Sequence, residues 1–169
     1  MKHFYEHHVL HSLSIARLFS FPENYHIMDL GSGGGFPGIP LAIYFAHVHF
    51  HLVDSISKKL LVAENVAAAI GLTNITTQHT RVEEIKDRKF DMVISRAVAP
   101  LKNLWSWSYP LLTTTLTDKR KDPHGLICLK GGDLKSEIAE SGRNPQVWEI
   151  HKFFKEDFFK EKYLFYISC

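Results

Sequence analysis

The feature that most constrains this chain is a glycine-dense stretch at residues 27–40, which reads IMDLGSGGGFPGIP. A short apolar run with β-strand character leads into a segment where four of five consecutive residues are glycine, and an apolar helical pattern then begins at Pro37. Glycine accepts positive φ and lets a ligand lie against the backbone. The N-terminus of a following helix directs unpaired N–H groups into the same space. The stretch therefore predicts a strand, a tight loop and a helix that together receive part of a nucleotide-like cofactor.

The glycines can be grouped in two ways, and each grouping points to a different cofactor. Gly33, Gly35 and Gly38 satisfy the G-x-G-x-x-G fingerprint of dinucleotide-binding proteins, which is typical of an NAD(P)-dependent oxidoreductase. One frame earlier, Asp29 with Gly31, Gly33 and Gly35 forms D-x-G-x-G-x-G, which resembles motif I of S-adenosylmethionine-dependent methyltransferases. The loop taken alone leaves both cofactors open.

Length and composition predict one globular domain. A chain of 169 residues with 45% hydrophobic content buries about 70% of its unfolded surface, which is enough for a core without disulfides. No apolar run approaches the ~18 residues of a membrane span, so we expect no membrane association. The two cysteines suggest neither a disulfide framework nor a metal clip, which favours a cytoplasmic location. The formal charge of +2 neither demands nor excludes nucleic acid.

Two sets of histidines have spacings that metal sites use. His3, His7 and His11 follow one another at helical i, i+4 spacing, and residues 47–54 alternate so that three further histidines share one face of a predicted strand. Zinc sites usually combine such histidines with cysteines or with carboxylates at recognisable spacing. Neither set has such a partner at a recognisable spacing, so we predict ordinary surface histidines and no metal.

The rest of the chain alternates predicted strands and helices. Strands are expected at 47–54, 74–79, 90–95, 125–130, 146–154 and 162–168, and helices at 2–19, 56–70, 100–112 and 133–141. Together with the strand that opens the glycine-rich stretch, this pattern predicts an α/β fold. We expect a doubly wound, mostly parallel, seven-stranded sheet with an antiparallel C-terminal strand.

Five polar or glycine positions each follow a different predicted strand, namely Gly31, Asp54, Glu83, Arg96 and Lys130. In a doubly wound sheet, ligands lie outside the carboxyl ends of the parallel strands, so these positions are predicted to form one site. An acid at the end of the second strand typically accepts hydrogen bonds from ribose hydroxyls. The alternatives are structural: a helix N-cap for Asp54, an exposed first-turn acid for Glu83 and a local ion pair for Arg96.

A longer string carries a specific resemblance. DLGSGGGFPGIPLA at residues 29–42 resembles the signature of the ribosomal small-subunit methyltransferase G family, also called glucose-inhibited division protein B. RVEE at 81–84, SRA at 95–97 and LKG at 129–131 are also similar to strings of that family. HHVLHS at 7–12 resembles the family's R-H-x-L-D-S with two histidines replacing arginine and aspartate, and the N-terminal helical extension is expected to be shortened.

The resemblance implies a single Rossmann-like class I methyltransferase domain over residues 1–169 with S-adenosylmethionine as cofactor. It implies transfer of a methyl group to N7 of a guanosine in 16S ribosomal RNA, as RNA or in the small ribosomal subunit, by a cytoplasmic monomer. Lys130 and Arg81 are the implied candidates for substrate positioning. The implied cofactor-binding positions are Asp29, Gly31, Gly33, Gly35, Phe36, Asp54, Ser55, Val82, Glu83 and Arg96.

The residues after the fourth strand are compatible with this chemistry. Enzymes that methylate exocyclic amines usually carry D/N-P-P-Y/F at this place, and SRAV at 95–98 does not resemble it. Methylation of cytosine C5 needs a nucleophilic cysteine, and Cys128 is predicted to lie in the middle of a strand. Guanine N7 has a free lone pair and requires mainly alignment with the methyl group. The residues permit N7 methylation and the resemblance selects it; an oxidoreductase and a non-catalytic RNA-binding assembly module remain as alternatives.

Overall fold

The computed structural model describes residues 2–96, 99–113, 122–132 and 134–169. The strands are β1 (His26–Leu30), β2 (His49–Asp54), β3 (Ile75–His79), β4 (Met92–Arg96), β5 (Gly125–Gly131), β6 (Gln146–Glu149) and β7 (Lys162–Ser168). They form one sheet in the order β3-β2-β1-β4-β5-β7-β6. The first five strands pair in parallel, whereas β7 is antiparallel to β5 and β6 is antiparallel to β7. The predicted α/β sheet, mostly parallel and closed by antiparallel C-terminal strands, is confirmed.

Helices lie on both faces of this sheet. They are α1 (Lys2–Phe4), which continues through a π-helical segment (Tyr5–Leu10) into α2 (His11–Leu18), and then α3 (Gly38–Tyr44), α4 (Ser57–Ala69), α5 (Leu101–Ser108) and α6 (Lys135–Ser141). Helices on both faces of a largely parallel sheet define a doubly wound fold. None of the helices in the described ranges has the length and apolar character that a membrane span requires.

Two hydrophobic cores follow from the alternation of side chains along each strand. Ile27 and Met28 are neighbours on β1, and both are fully buried in different cores because successive side chains point to opposite faces. The first core joins the sheet to α2, α3 and α4 through Ile15, Leu41, Leu60 and Ala63. The second joins it to α5 through Leu101, Leu104 and Trp105.

The connection from β3 to β4 is unusually thin. Its only helical element among the described residues is a 3-10 turn, Val82–Glu84, of three residues. Most crossovers between parallel strands carry a longer helix that covers the sheet. The face of β2 and β3 beneath this connection is therefore only partly covered.

Several element boundaries differ from those predicted. β2 begins at His49 rather than at residue 47, because the His47 side chain bonds to the backbone oxygen of Phe21 and lies before the strand. The helix predicted to reach residue 112 ends as α5 at Ser108 and continues as a 3-10 turn that contains Pro110. The helix predicted from 133 begins at Lys135, and Asp133 lies outside the described residues.

Candidate cofactor site

The glycine-rich loop between β1 and α3 has the backbone geometry for which glycine is suited. Gly31, Gly33 and Gly35 have φ values of 71°, 57° and 98°. A Cβ built on Gly35 would lie 2.3 Å from Cδ1 of Ile39, so this position also needs glycine because the loop packs directly on α3. The predicted strand, loop and helix are confirmed, although α3 begins at Gly38, one residue after Pro37.

Asp54 links the glycine-rich loop to the end of β2 by a hydrogen bond. Its Oδ2 accepts the backbone N–H of Gly33 at 2.8 Å, and its Oδ1 accepts the N–H of Ile56 at 2.8 Å, just before α4. The carboxylate is buried, yet each oxygen has a further lone pair for a ligand hydroxyl. The N-cap of α4 is Ile56 and not Asp54, so the alternative of a helix N-cap is wrong; Asp54 instead holds the residue that precedes the helix.

Asp29 lies behind the loop rather than in an open site. It is fully buried, and its Oδ2 accepts the backbone N–H of Gly38 at 2.7 Å. Burial raises the pKa of this carboxyl to about 7, and the hydrogen bond from Gly38 and the charge of Arg96 oppose that rise. Asp29 thus stabilises the turn into α3 from inside the protein.

A cavity of about 530 Å³ opens beside the loop at the carboxyl ends of β1, β2 and β3. Its volume lies in the range of small-molecule sites. Six predicted positions line it, namely Gly31, Asp54, Ser55, Arg81, Val82 and Glu83. Six further lining residues were not among the predicted site residues, namely Leu30, Val53, Ile56, Lys59, Thr80 and Trp107.

The residues of this cavity fit S-adenosylmethionine. Gly31 has no side chain to block the floor, Asp54 offers a carboxylate for ribose hydroxyls, and Val82 with the half-buried Trp107 supplies apolar surface for an adenine ring. Glu83 is exposed at the same wall, which leaves both its predicted adenine contact and its alternative as a first-turn acid open. The sequence indicates that Trp107 could stack on an unpaired base, but it favours core or surface packing because an aromatic side chain carries a large apolar area.

Arg96 occupies a neighbouring cluster and does not line the cavity. Its guanidinium donates to the backbone oxygen of His7 at 3.0 Å, approaches Nδ1 of His8 at 2.9 Å and lies 5.4 Å from the centre of the Phe36 ring. Burial lowers the pKa of Arg96, and the charge of Asp29 opposes this. Among the described residues, the ion pair named as the alternative for Arg96 does not form. Instead, Arg96 joins the N-terminal helix to Phe36 of the glycine-rich loop.

Lys130 is also outside the cavity. Its side chain is almost fully buried, and its Nζ forms an ion pair with Oε1 of Glu137 at 2.6 Å and donates to the backbone oxygen of Ala99. The same Glu137 oxygen accepts the N–H of Leu101 at 2.6 Å. The predicted convergence of five positions is therefore only partly correct, because Arg96 and Lys130 lie at the same sheet edge but bond to other protein groups.

The histidine sets are rearranged relative to the sequence patterns. His49 is exposed and stacks on His26, whereas His51 is buried and bonds to Thr76 and Gln78. His49 and His51 share one face of β2, as predicted, whereas His47 lies before the strand and is not part of that face. On the N-terminal helix, ligand atoms of His3, Glu6 and His7 lie within 4.8 Å of one another; His11 is not part of this group, and it is buried.

Comparison with known proteins decides which frame of the glycine-rich loop applies. A family model described as rRNA small subunit methyltransferase G matches residues 1–162. The chain belongs to the rRNA small subunit methyltransferase G family. A family member from Phocaeicola vulgatus is 51% identical over 166 residues, covering 97% of this chain and 77% of that protein. A member from Cytophaga hutchinsonii is 44% identical over 167 residues, covering 98% of this chain and 78% of that protein.

Solved structures confirm the fold class of this family member. A S-adenosylmethionine-dependent methyltransferase from Aquifex aeolicus aligns with a TM-score of 0.65 at 15% identity, covering 98% of this chain and 92% of that one. An rRNA methylase from Streptococcus thermophilus aligns with a TM-score of 0.62 at 11% identity, covering 94% and 93%. Together with the family match, they confirm the predicted class I methyltransferase fold, the methyltransferase class of the enzyme and its S-adenosylmethionine cofactor. The oxidoreductase alternative receives no support.

Proposed function

We propose that this chain transfers the methyl group of S-adenosylmethionine to N7 of a guanosine in 16S ribosomal RNA. The observation that carries the proposal is the cavity at the carboxyl ends of the first three strands, which the glycine-rich loop, Asp54 and Val82 all line in a member of this methyltransferase family. Relatives named ribosomal RNA small subunit methyltransferase G support the choice of substrate. We also propose that residues 1–169 act as one domain, as a cytoplasmic monomer on the small ribosomal subunit or its RNA.

Different lining residues of the cavity are suited to different parts of the cofactor. Gly31 lets the cofactor lie against the backbone, Asp54 accepts the ribose hydroxyls, and Ser55 extends the same wall. Val82, and Glu83 where it contacts the cofactor rather than solvent, would flank the adenine. When bound, S-adenosylmethionine supplies an electrophilic methyl group, and the protein has mainly to hold the acceptor atom in line with it.

The protonation states of the buried groups favour an acceptor that needs no activation. Cys128 is fully buried in β5, and burial raises the pKa of its thiol to about 12, so it is unsuited to attack a pyrimidine ring. Asp29 is shielded behind the loop and bonded to Gly38, so it is not placed as a general base for a substrate. Guanine N7 is itself the nucleophile and carries no proton to be removed, so its methylation needs neither a nucleophilic side chain nor a general base. This agrees with the residues present.

Arg81 is our candidate for substrate positioning at this site. Its side chain is exposed at the cavity wall, where a guanidinium is suited to a phosphate of the RNA backbone. Lys130 is a weaker candidate because its ammonium is buried and paired with Glu137.

The test is transfer of a labelled methyl group to 16S ribosomal RNA and to intact small subunits, followed by nucleoside analysis for 7-methylguanosine. Gly31→Asp is the control, because Gly31 has a φ of 71° that disfavours other residues and because the added carboxylate would occupy the wall of the cavity. We expect incorporation at N7 that the variant abolishes. Absence of incorporation with both substrates would contradict the proposal. RNA binding that is indifferent to S-adenosylmethionine and without turnover would favour the assembly module, and saturable NAD(H) binding would favour the oxidoreductase.

A further inference from the structure

A second cavity lies at the opposite edge of the sheet from the cofactor site. It has a volume of about 360 Å³ and lies at the amino ends of the strands, where β1, β2 and β3 begin, beside the residues that lead into β4. It is present because the thin connection between β3 and β4 leaves this part of the sheet without a covering helix. Nothing in the proposed methyl transfer uses this cavity.

The side chains that line this cavity are basic or neutral. Its basic members are His26, His49, His51, Arg88 and Lys89, and no carboxylate is among the described residues that line it. Asp87 exerts an opposing charge on His51, but it lies outside the lining. Cavities lined by one sign of charge concentrate ions of the opposite sign.

The guanidinium of Arg88 lies against the buried ring of His51. Nη1 of Arg88 lies 3.1 Å from Nδ1 of His51 and 3.4 Å from Nε2, although that imidazole is 5% exposed. In the described part of the chain, no ion pair joins Arg88 or Lys89 to a carboxylate. Burial and the neighbouring Arg88 lower the pKa of His51. Arg88 is itself exposed, so its guanidinium can donate charge-assisted hydrogen bonds to an anion that enters the cavity from solvent.

Hydrogen-bond donors complete the arrangement. Thr73 and Thr76 line the same wall, and the stacked rings of His26 and His49 lie 5.0 Å apart. The Thr76 hydroxyl bonds to Nδ1 of His51 and Nζ of Lys89 donates to the backbone oxygen of Pro110, and an ammonium has two further N–H groups to donate. A guanidinium, an ammonium, hydroxyls and imidazoles are the groups that bind phosphate oxygens in proteins. We propose that this cavity binds a phosphate group, supplied by the backbone of the RNA substrate or by a free phosphate compound. The RNA source rests on the proposed function, whereas binding of phosphate does not.

Two measurements on the full chain separate these sources. The first is a titration with inorganic phosphate at near-neutral pH, with chloride at matched ionic strength, followed by the side-chain NMR signals of His26, His49 and His51. The second is the dependence of 16S RNA affinity on salt concentration. Arg88→Gln is the test variant. Arg17→Gln, an exposed arginine on α2 that contacts Phe153, is the matched control.

We expect saturable phosphate shifts in the parent and in Arg17→Gln, with affinity about tenfold weaker in Arg88→Gln, the loss typical of one charge-assisted hydrogen bond. If RNA supplies the phosphate, Arg88→Gln also lowers the slope of log affinity against log salt by about one. Phosphate shifts with an unchanged RNA slope would support the site and assign a free phosphate compound. Histidine signals that ignore phosphate, together with an unchanged slope, would overturn the proposal. S-adenosylhomocysteine affinity, expected to be equal in all three proteins, shows separately whether the cofactor site is intact.

Discussion

The carboxylate of Asp54 and the backbone N–H of Gly33, which are 21 residues apart in the chain, form a hydrogen bond of 2.8 Å. This bond links the end of β2 to the glycine-rich loop after β1. The same carboxylate holds the N–H of Ile56 at the entry to α4. One side chain therefore sets the distance between two walls of the cofactor cavity.

Replacing Asp54 is expected to weaken cofactor binding more than it weakens the fold. Asp54→Ala removes two charge-assisted hydrogen bonds and the acceptor for the ribose, so the Kd for S-adenosylhomocysteine should rise about 10- to 100-fold. Isothermal titration calorimetry measures this change, with Asp157→Ala, an exposed acid paired with Lys160, as control. Unchanged affinity together with a lower Tm would show that Asp54 has a structural role only.

Gly35 is expected to be intolerant of any side chain. Gly35→Ala combines φ of 98° with a Cβ that meets Cδ1 of Ile39 at 2.3 Å, so strain and overpacking should together cost about 2–5 kcal/mol of unfolding free energy. Gly142→Ala measures the cost of backbone strain alone, since Gly142 has φ of 62° and no neighbour within 4 Å of an added Cβ. We expect it to cost only about 1 kcal/mol in urea denaturation. Equal losses in the two variants would mean that the close contact with α3 is unimportant.

The Lys130–Glu137 pair is expected to stabilise the segment that leads into α5. Lys130→Met leaves Glu137 without its counter-charge in a largely buried place, which should cost about 3–5 kcal/mol. Adding Glu137→Gln should recover part of this loss, because the amide oxygen still accepts the N–H of Leu101. Chemical denaturation of the single and double variants gives the coupling energy.

Lys152→Met is the matched control for that cycle. Lys152 pairs with Glu149 at 3.1 Å on the surface, where the two side chains are 68% and 54% exposed, so the cost should stay below about 1 kcal/mol. A fully stable Lys130→Met protein that no longer methylates RNA would instead support the substrate-positioning role expected from the sequence.

His11 is expected to make the fold sensitive to acid. It is buried beside Phe158 and Phe159, and burial, with the charge of Arg96, lowers its pKa to about 3. The unfolded chain takes up this proton near pH 6.5 and the folded chain does not, so the stability from His11 is complete above about pH 6.5 and falls as the pH drops toward 3. The slope approaches about 1.4 kcal/mol per pH unit at most.

His11→Phe removes this titration while keeping an aromatic ring; Nε2 of His11 has no hydrogen-bond partner among the described residues, and the variant gives up the imidazole's bond to the backbone of His7. Urea unfolding between pH 7 and pH 4 should show a smaller loss of stability in the variant than in the parent. His49→Phe, at an exposed ring, is the control. Identical pH slopes in parent and His11→Phe would disprove the assignment.

Helices and strands that are indicated by the pattern of neighbouring residues agree closely with the predicted bounds. β7 spans Lys162–Ser168 as expected, and α4, Ser57–Ala69, lies within one residue of its predicted ends. β2 was placed two residues too early because alternating polarity continues into the preceding turn. Period-2 alternation cannot tell a strand from the residues that lead into it when a side chain there bonds elsewhere.

Motifs and periodicity in the amino-acid sequence were enough to predict the family, the strand–loop–helix at residues 27–40 and the edge of the sheet where Asp54 and Val82 line the cofactor cavity. Those features depend on backbone conformation and strand order, which glycine positions and hydrophobic periodicity indicate directly. The partners of Arg96 and Lys130, and the cluster of basic side chains at the opposite edge, became visible in the folded chain alone. A long charged side chain bonds to whichever acceptors folding brings within reach. Burial and competing partners, which no local pattern encodes, then select among those acceptors.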